Sequence, residues 1–122
     1  GLFWAQDNNF QIRRTILELI TGRQPDFVKA SYISEKISKI DGGYEIFLGF
    51  LLSFMRDLTV FNSSGDTKQI INADVMEFLR WPKADETWIA EAMKRIQETL
   101  FIIRYNINKA LCFENLLFQI MR

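Results

Sequence analysis

Histidine is absent from the 122 residues, cysteine occurs once and proline twice. Each shortage removes a class of explanation. Without histidine the chain lacks the commonest general base and the commonest neutral metal ligand. A lone cysteine, Cys112, forms no intramolecular disulfide and offers no zinc spacing. It lies in an apolar run, where a buried core thiol is the favoured reading over a nucleophile, which would want a nearby base. Such cysteine usage fits a reducing compartment, so a cytoplasmic location is expected. No apolar stretch is expected to reach the roughly 18 residues that a membrane span needs. The longest candidate, Ile46 to Leu52, is short and is soon followed by Arg56 and Asp57. The opening Gly-Leu-Phe-Trp has no basic flank or signal-type apolar core. A chain that begins on Gly1 without an initiator Met is expected to be an excerpt of a longer protein.

An excess of either charge is also missing, since 15 basic residues balance 15 acidic ones. Nucleic-acid binding through phosphates usually leaves a basic stripe, because its affinity comes largely from counterion release. Here Arg13, Arg14, Lys36, Lys39, Arg80, Lys83, Lys94, Arg95, Arg104 and Lys109 are scattered, which argues against direct nucleic-acid binding by this domain. Catalytic motifs are missing as well. There is no GxxxxGK[ST] phosphate loop and no GxGxxG. The nearest acidic pair, Asp85 and Glu86, falls at an expected helix start, where acids favour the dipole. No catalytic residue, cofactor, metal or small-molecule substrate is expected.

What the chain has is apolar residues at helical spacing: 48% of it is hydrophobic, with eleven Phe and three Trp. That is enough to close a core without disulfides or metal. An all-α fold is expected, a single compact bundle over residues 1–122 with about five main helices plus one short helix. The first helix is predicted from about Asn9 to Thr21, capped by Asn8 or Asn9, with Phe10, Ile16, Leu17 and Ile20 as its stripe and Gly22 as its end. Phe3 and Trp4 form a lead-in to it or fold against it. Pro25 and Asp26 open a second helix carrying Phe27, Ala30, Ile33, Ile37 and Ile40, which stops at Asp41-Gly42-Gly43. The third, about Tyr44 to Phe61, is apolar on two faces and therefore belongs in the middle of the bundle. After a loop over Asn62 to Asp66, a short helix runs from Ala73 to Arg80 with Asn72 as its cap. Trp81 before Pro82 marks a break. Asp85 caps a long helix to about Tyr105, with Ile89, Ala92, Met93, Ile96, Leu100 and Ile103 inside. Asn106-Ile107-Asn108 is a tight turn in which Asn106 can take a left-handed conformation, and Asn108 caps the last helix, Lys109 to about Met121.

Three features go beyond a generic core. Arg56 and Asp57 follow an apolar helix; they either lie at the solvent edge or pair with charges on neighbouring helices. Glu114, among Leu111, Cys112, Phe113, Leu116 and Leu117, poses the same question, and Arg56 or Arg104 is the expected partner. Leu100 to Ile103 are consecutive apolar residues, and the last helix carries two apolar stripes: Leu111, Glu114, Leu117, Phe118 and Met121 on one, Cys112, Phe113, Leu116 and Ile120 on the other. A second apolar side lies at the bundle centre or meets a partner. Phe101, Tyr105, Leu116 and Ile120 are the candidates for such an interface.

These blocks resemble a known family. Leu51-Leu52-Ser53-Phe54-Met55-Arg56-Asp57-Leu58, a loop, then Ile71-Asn72-Ala73-Asp74 is similar to the C-terminal collar domain of bacterial DNA polymerase III clamp-loader subunits. Ile96 to Leu100, Asn106-Ile107-Asn108, then Leu111, Glu114, Leu116 and Leu117 resemble that family's closing pattern. The resemblance spans about Asn9 to Met121, and the delta-prime type matches best, with gamma/tau next and delta third. It implies a helical collar domain packed beside equivalent domains of other clamp-loader subunits, in a hetero-oligomeric ring that loads the sliding clamp during DNA replication. The AAA+ ATPase modules would precede it in the longer protein. Only structural positions carry over: Arg56, Asp57, Asn106, Asn108 and Glu114. The competing expectation is a ligand- or effector-binding domain of a transcription regulator, with aromatics lining a cavity of at least roughly 300 Å³.

Overall fold

The computed structural model describes residues 2–22, 25–65, 67–80 and 85–121, with the backbone alone for 2–7 and 67. Among the described residues five α-helices carry the fold: α1 (Leu2–Thr21), α2 (Phe27–Ser38), α3 (Gly43–Ser64), α4 (Glu86–Ile103) and α5 (Lys109–Ile120). Between α3 and α4 lie a 3-10 turn, Thr67–Gln69, and a 3-10 segment, Ala73–Leu79, kinked at Val75. The protein is all-α, as the helical spacing predicts.

Most boundaries follow local chemistry. Asp26 is the cap of α2 rather than a residue inside it, its carboxylate accepting the Lys29 N–H at 3.0 Å. Asp85 does the same for α4 through the Trp88 N–H at 2.7 Å. At the α2–α3 joint two glycines serve different needs. Gly42 takes φ +64°, a region that penalises a side chain. Gly43 needs space instead, because a Cβ there would sit 2.5 Å from the Ile37 carbonyl oxygen.

Other boundaries differ from expectation. α1 starts at Leu2, so Asn8 and Asn9 lie inside it rather than capping it. An asparagine costs an interior helical position well under 1 kcal/mol, too little to end a helix by itself. Phe3 and Trp4 continue that helical backbone, and their side chains lie outside the described residues. α3 runs through Asn62, Ser63 and Ser64, and ends only where Gly65 adopts φ +66° and donates its N–H to Phe61 O at 2.9 Å. The expected break at Trp81–Pro82 also lies outside the described residues.

α3 is the central helix. It packs on α2, α4, α5 and both 3-10 pieces, most extensively on α4, while α5 lies against α2 and α4 and α1 lies on α2. Tyr44, Phe47, Leu48, Phe50, Leu51, Phe54, Met55 and Leu58 are all buried, which consumes both apolar faces read from the sequence. By length and composition alone α3 could cross a membrane, which corrects the expectation that no apolar stretch is long enough to do so. In this fold its apolar faces are spent on the neighbouring helices. α4 buries Ile89, Ala92, Ile96, Thr99 and Ile103, and α5 buries Phe113, Leu116, Leu117 and Ile120, each at spacings of three and four.

A candidate docking surface at the α4–α5 corner

Arg56 and Asp57 are neighbours in sequence but about 100° apart around a helix, and the structure separates them. Arg56 is exposed, whereas Asp57 is 1% exposed. Asp57 accepts the backbone N–H groups of Ile71 and Asn72 and the Asn72 side-chain amide, all at 2.8 Å. That amide also donates to Ser53 Oγ at 3.0 Å, and Ser53 donates to the Phe50 carbonyl at 2.8 Å. Asp57 is therefore a clasp that holds the chain entering Ala73–Leu79 against α3. Asn72, expected to cap that segment, makes no side-chain cap bond; its amide NH₂ instead donates to Asp57 and Ser53. Every buried side-chain nitrogen and oxygen among the described residues has a partner.

The segment is held from its other side by α1. Arg13 pairs with Asp74 and Arg14 with Glu77. Both guanidinium groups lie over the Phe10 ring, at 5.8 and 5.7 Å from its centroid. These pairs were not foreseen. Two adjacent arginines and two carboxylates three positions apart were the available signal, but nothing local matched them across some sixty residues.

The Asn106–Asn108 turn is built from side-chain caps rather than a left-handed residue. Asn106 Oδ1 accepts the Asn108 N–H at 2.9 Å, and Asn108 Oδ1 accepts the Leu111 N–H at 3.1 Å. No non-glycine among the described residues has positive φ, so the left-handed expectation for Asn106 is corrected. An Asx turn closes the bend at no such steric cost. Asn108 is the cap of α5, as its position predicts.

Glu114 is half-buried and makes no ion pair with Arg56 or Arg104, which are both exposed. Leu116 and Ile120 are 1% and 2% exposed. They belong to the Phe113–Leu116–Leu117–Ile120 stripe that faces the core, so the structure removes them from the expected interface. Cys112 is half-buried rather than fully enclosed.

Phe101 and Tyr105, by contrast, are 73% and 81% exposed, with ring centroids 6.4 Å apart. They are joined by Ile102 and Leu111, each about half exposed, and by Ile107, which is fully exposed. Together these residues make an apolar corner where α4 ends, the chain turns and α5 begins. Ile107 was read only as a turn residue. Its signal was an isoleucine between two asparagines in a tight turn, where nothing in the fold can cover it. A second, smaller exposed apolar strip runs along α2 through Phe27, Val28 and Tyr32.

The clefts are grooves of different character. One of about 670 Å³ surrounds the Ser38–Glu45 joint and Lys109. One of about 410 Å³ lies between α4 and α5, and one of about 310 Å³ between the end of α3 and the start of α4. They reach the volume set for a ligand site, but Tyr44 is the only aromatic lining any of these three.

No protein-family model, no curated protein and no solved structure matches the chain.

Proposed function

We propose that this domain is a non-catalytic subunit-assembly module of the clamp-loader collar type, closest to delta-prime, and that it meets neighbouring subunits through the α4–α5 corner. The observation that carries the reading is the exposure of five large apolar residues, Phe101, Ile102, Tyr105, Ile107 and Leu111, where α4 ends and α5 begins. Contiguous apolar patches on a folded surface mark interaction sites, and aromatic anchors dominate such interfaces. The resemblance supplies the partner class. Its structural residues have physical roles here that suit a scaffold: Asp57 clasps the segment after α3, and Asn106 and Asn108 set the angle at which α5 leaves α4. On this reading the domain binds no nucleic acid itself, works in the cytoplasm, and contributes to the ring that suspends the ATPase modules during clamp loading.

An effector-binding domain would place its aromatics around a cleft. Among the described residues Tyr44 alone of the aromatics lines a groove of at least roughly 300 Å³, and most others lie in the core or on the open surface, which favours the assembly reading. The test is reconstitution. The domain is mixed with the remaining clamp-loader subunits and analysed by size-exclusion chromatography with light scattering. Co-elution of the native domain, and its loss in Phe101→Glu with an unchanged circular dichroism spectrum, is the expected result. Failure of the folded native domain to associate, or unimpaired assembly of Phe101→Glu, would refute it.

A further inference from the structure

We propose that the exposed face of α4 also pairs with the same face of a second copy of this chain, antiparallel and about a two-fold axis passing beside Phe101. The inference rests on the reading of the α4–α5 corner as a docking surface, and adds that the surface is complementary to itself.

The spacing of exposed residues on α4 makes the case. Glu98, Phe101 and Arg104, the αR residue that caps α4, follow one another at intervals of three and so share one side of the helix, with Tyr105 in the turn just beyond it. Glu98 and Arg104 are exposed, and neither makes an ion pair among the described residues. When two such helices run antiparallel with Phe101 opposite Phe101, the residue three before it faces the residue three after it. Each Glu98 then meets the Arg104 of the other copy, twice, by symmetry. A two-fold interface requires this pattern, in which one residue contacts a second and the second contacts the first.

The exposed apolar area at this corner is of the order that the lower end of stable interfaces buries. Phe101 and Tyr105 at 73% and 81% exposure, with Ile102, Ile107 and Leu111, offer on the order of 600 Å² per chain. Stable interfaces bury roughly 600–1,000 Å² per partner. Net charge does not oppose the pairing, because the 15 basic and 15 acidic residues cancel.

Sedimentation equilibrium of the isolated chain between about 1 µM and 1 mM measures it. The native chain is expected to show a monomer–dimer equilibrium. Glu98→Arg and Arg104→Glu each set like charges against each other at both symmetric contacts, and each is expected to weaken the dimer about tenfold or more. The double variant, Glu98→Arg with Arg104→Glu, restores opposite charges in reversed order and is expected to recover most of the affinity. Phe101→Ser, at an exposed position that the fold does not need, is expected to abolish the dimer. A native chain that stays monomeric throughout, a dimer indifferent to Phe101→Ser, or a double variant no better than the singles would overturn the pairing. None of these outcomes touches the collar reading, which stands or falls on association with the other loader subunits.

Discussion

Replacing Asp57 with alanine removes three hydrogen bonds at one stroke. Its carboxylate is buried, and the Ile71 N–H, the Asn72 N–H and the Asn72 amide all donate to it at 2.8 Å. A hydrogen bond to a charged group contributes about 1.5–3 kcal/mol, and a donor left unsatisfied costs about 1–3 kcal/mol. Ile71 is exposed and Asn72 half-buried, so water can reach part of what the carboxylate leaves behind. The lower end of the range therefore applies, about 1 kcal/mol for each donor and about 3 kcal/mol in all. For a chain of this length that is a fall in Tm of roughly 10 °C. Asp57→Asn is the sharper test. It keeps the volume and one acceptor oxygen but turns an NH₂ group toward the donors, so about half the loss is expected. Urea unfolding followed by far-ultraviolet circular dichroism measures both, with the m-value unchanged. A loss below about 1 kcal/mol for Asp57→Ala, or native stability in Asp57→Asn, would refute the clasp as an energetic element.

Gly43→Ala should destabilise by about 1–3 kcal/mol in the same urea assay, because its Cβ would meet the Ile37 backbone oxygen at 2.5 Å. Asn108→Ala removes the cap of α5 and is expected to lower stability by about 1 kcal/mol, restored in large part by Asn108→Asp or Asn108→Ser. On α5, Leu117→Ala should cost about 2–5 kcal/mol by thermal or urea melting. Leu111→Ala, half exposed, should stay within about 1 kcal/mol of the native chain. Equal effects at Leu111 and Leu117 would contradict the assigned inner face.

The helices were legible because their signals are local. Asp26, Asp85 and Asn108 each accept an N–H three residues on, which is a relation readable along the chain. The central place of α3 was readable from its two apolar faces. What was not legible required knowing which parts of the chain meet. Two stripes on α5 looked alike in composition, and only the positions of α2 and α4 decided that Phe113, Leu116, Leu117 and Ile120 go inward. Glu114 attracted a charge partner on paper, but neither Arg56 nor Arg104 pairs with it. The candidate surface was half visible for the same reason. Phe101 and Tyr105 stand out as aromatic residues on an already apolar helix, while Leu116 and Ile120, equally apolar, were claimed by the core.

The two attachments of the Ala73–Leu79 segment differ in how far the chain must travel to make them. Asp57 reaches residues 14 and 15 positions away, whereas Arg13 and Arg14 reach across 61 and 63. Closing the longer loops costs more entropy, and contacts distant in sequence slow folding when the barrier depends on them. The clasp on α3 can thus close as soon as that stretch of chain exists, while the Arg13 and Arg14 pairs wait for residues emerging much later from synthesis. Asp57 substitutions are accordingly expected to slow refolding. Substitutions at Arg13 and Arg14 should instead leave refolding nearly untouched and hasten unfolding, making the tie between the first helix and this segment a late contact to form and an early one to break.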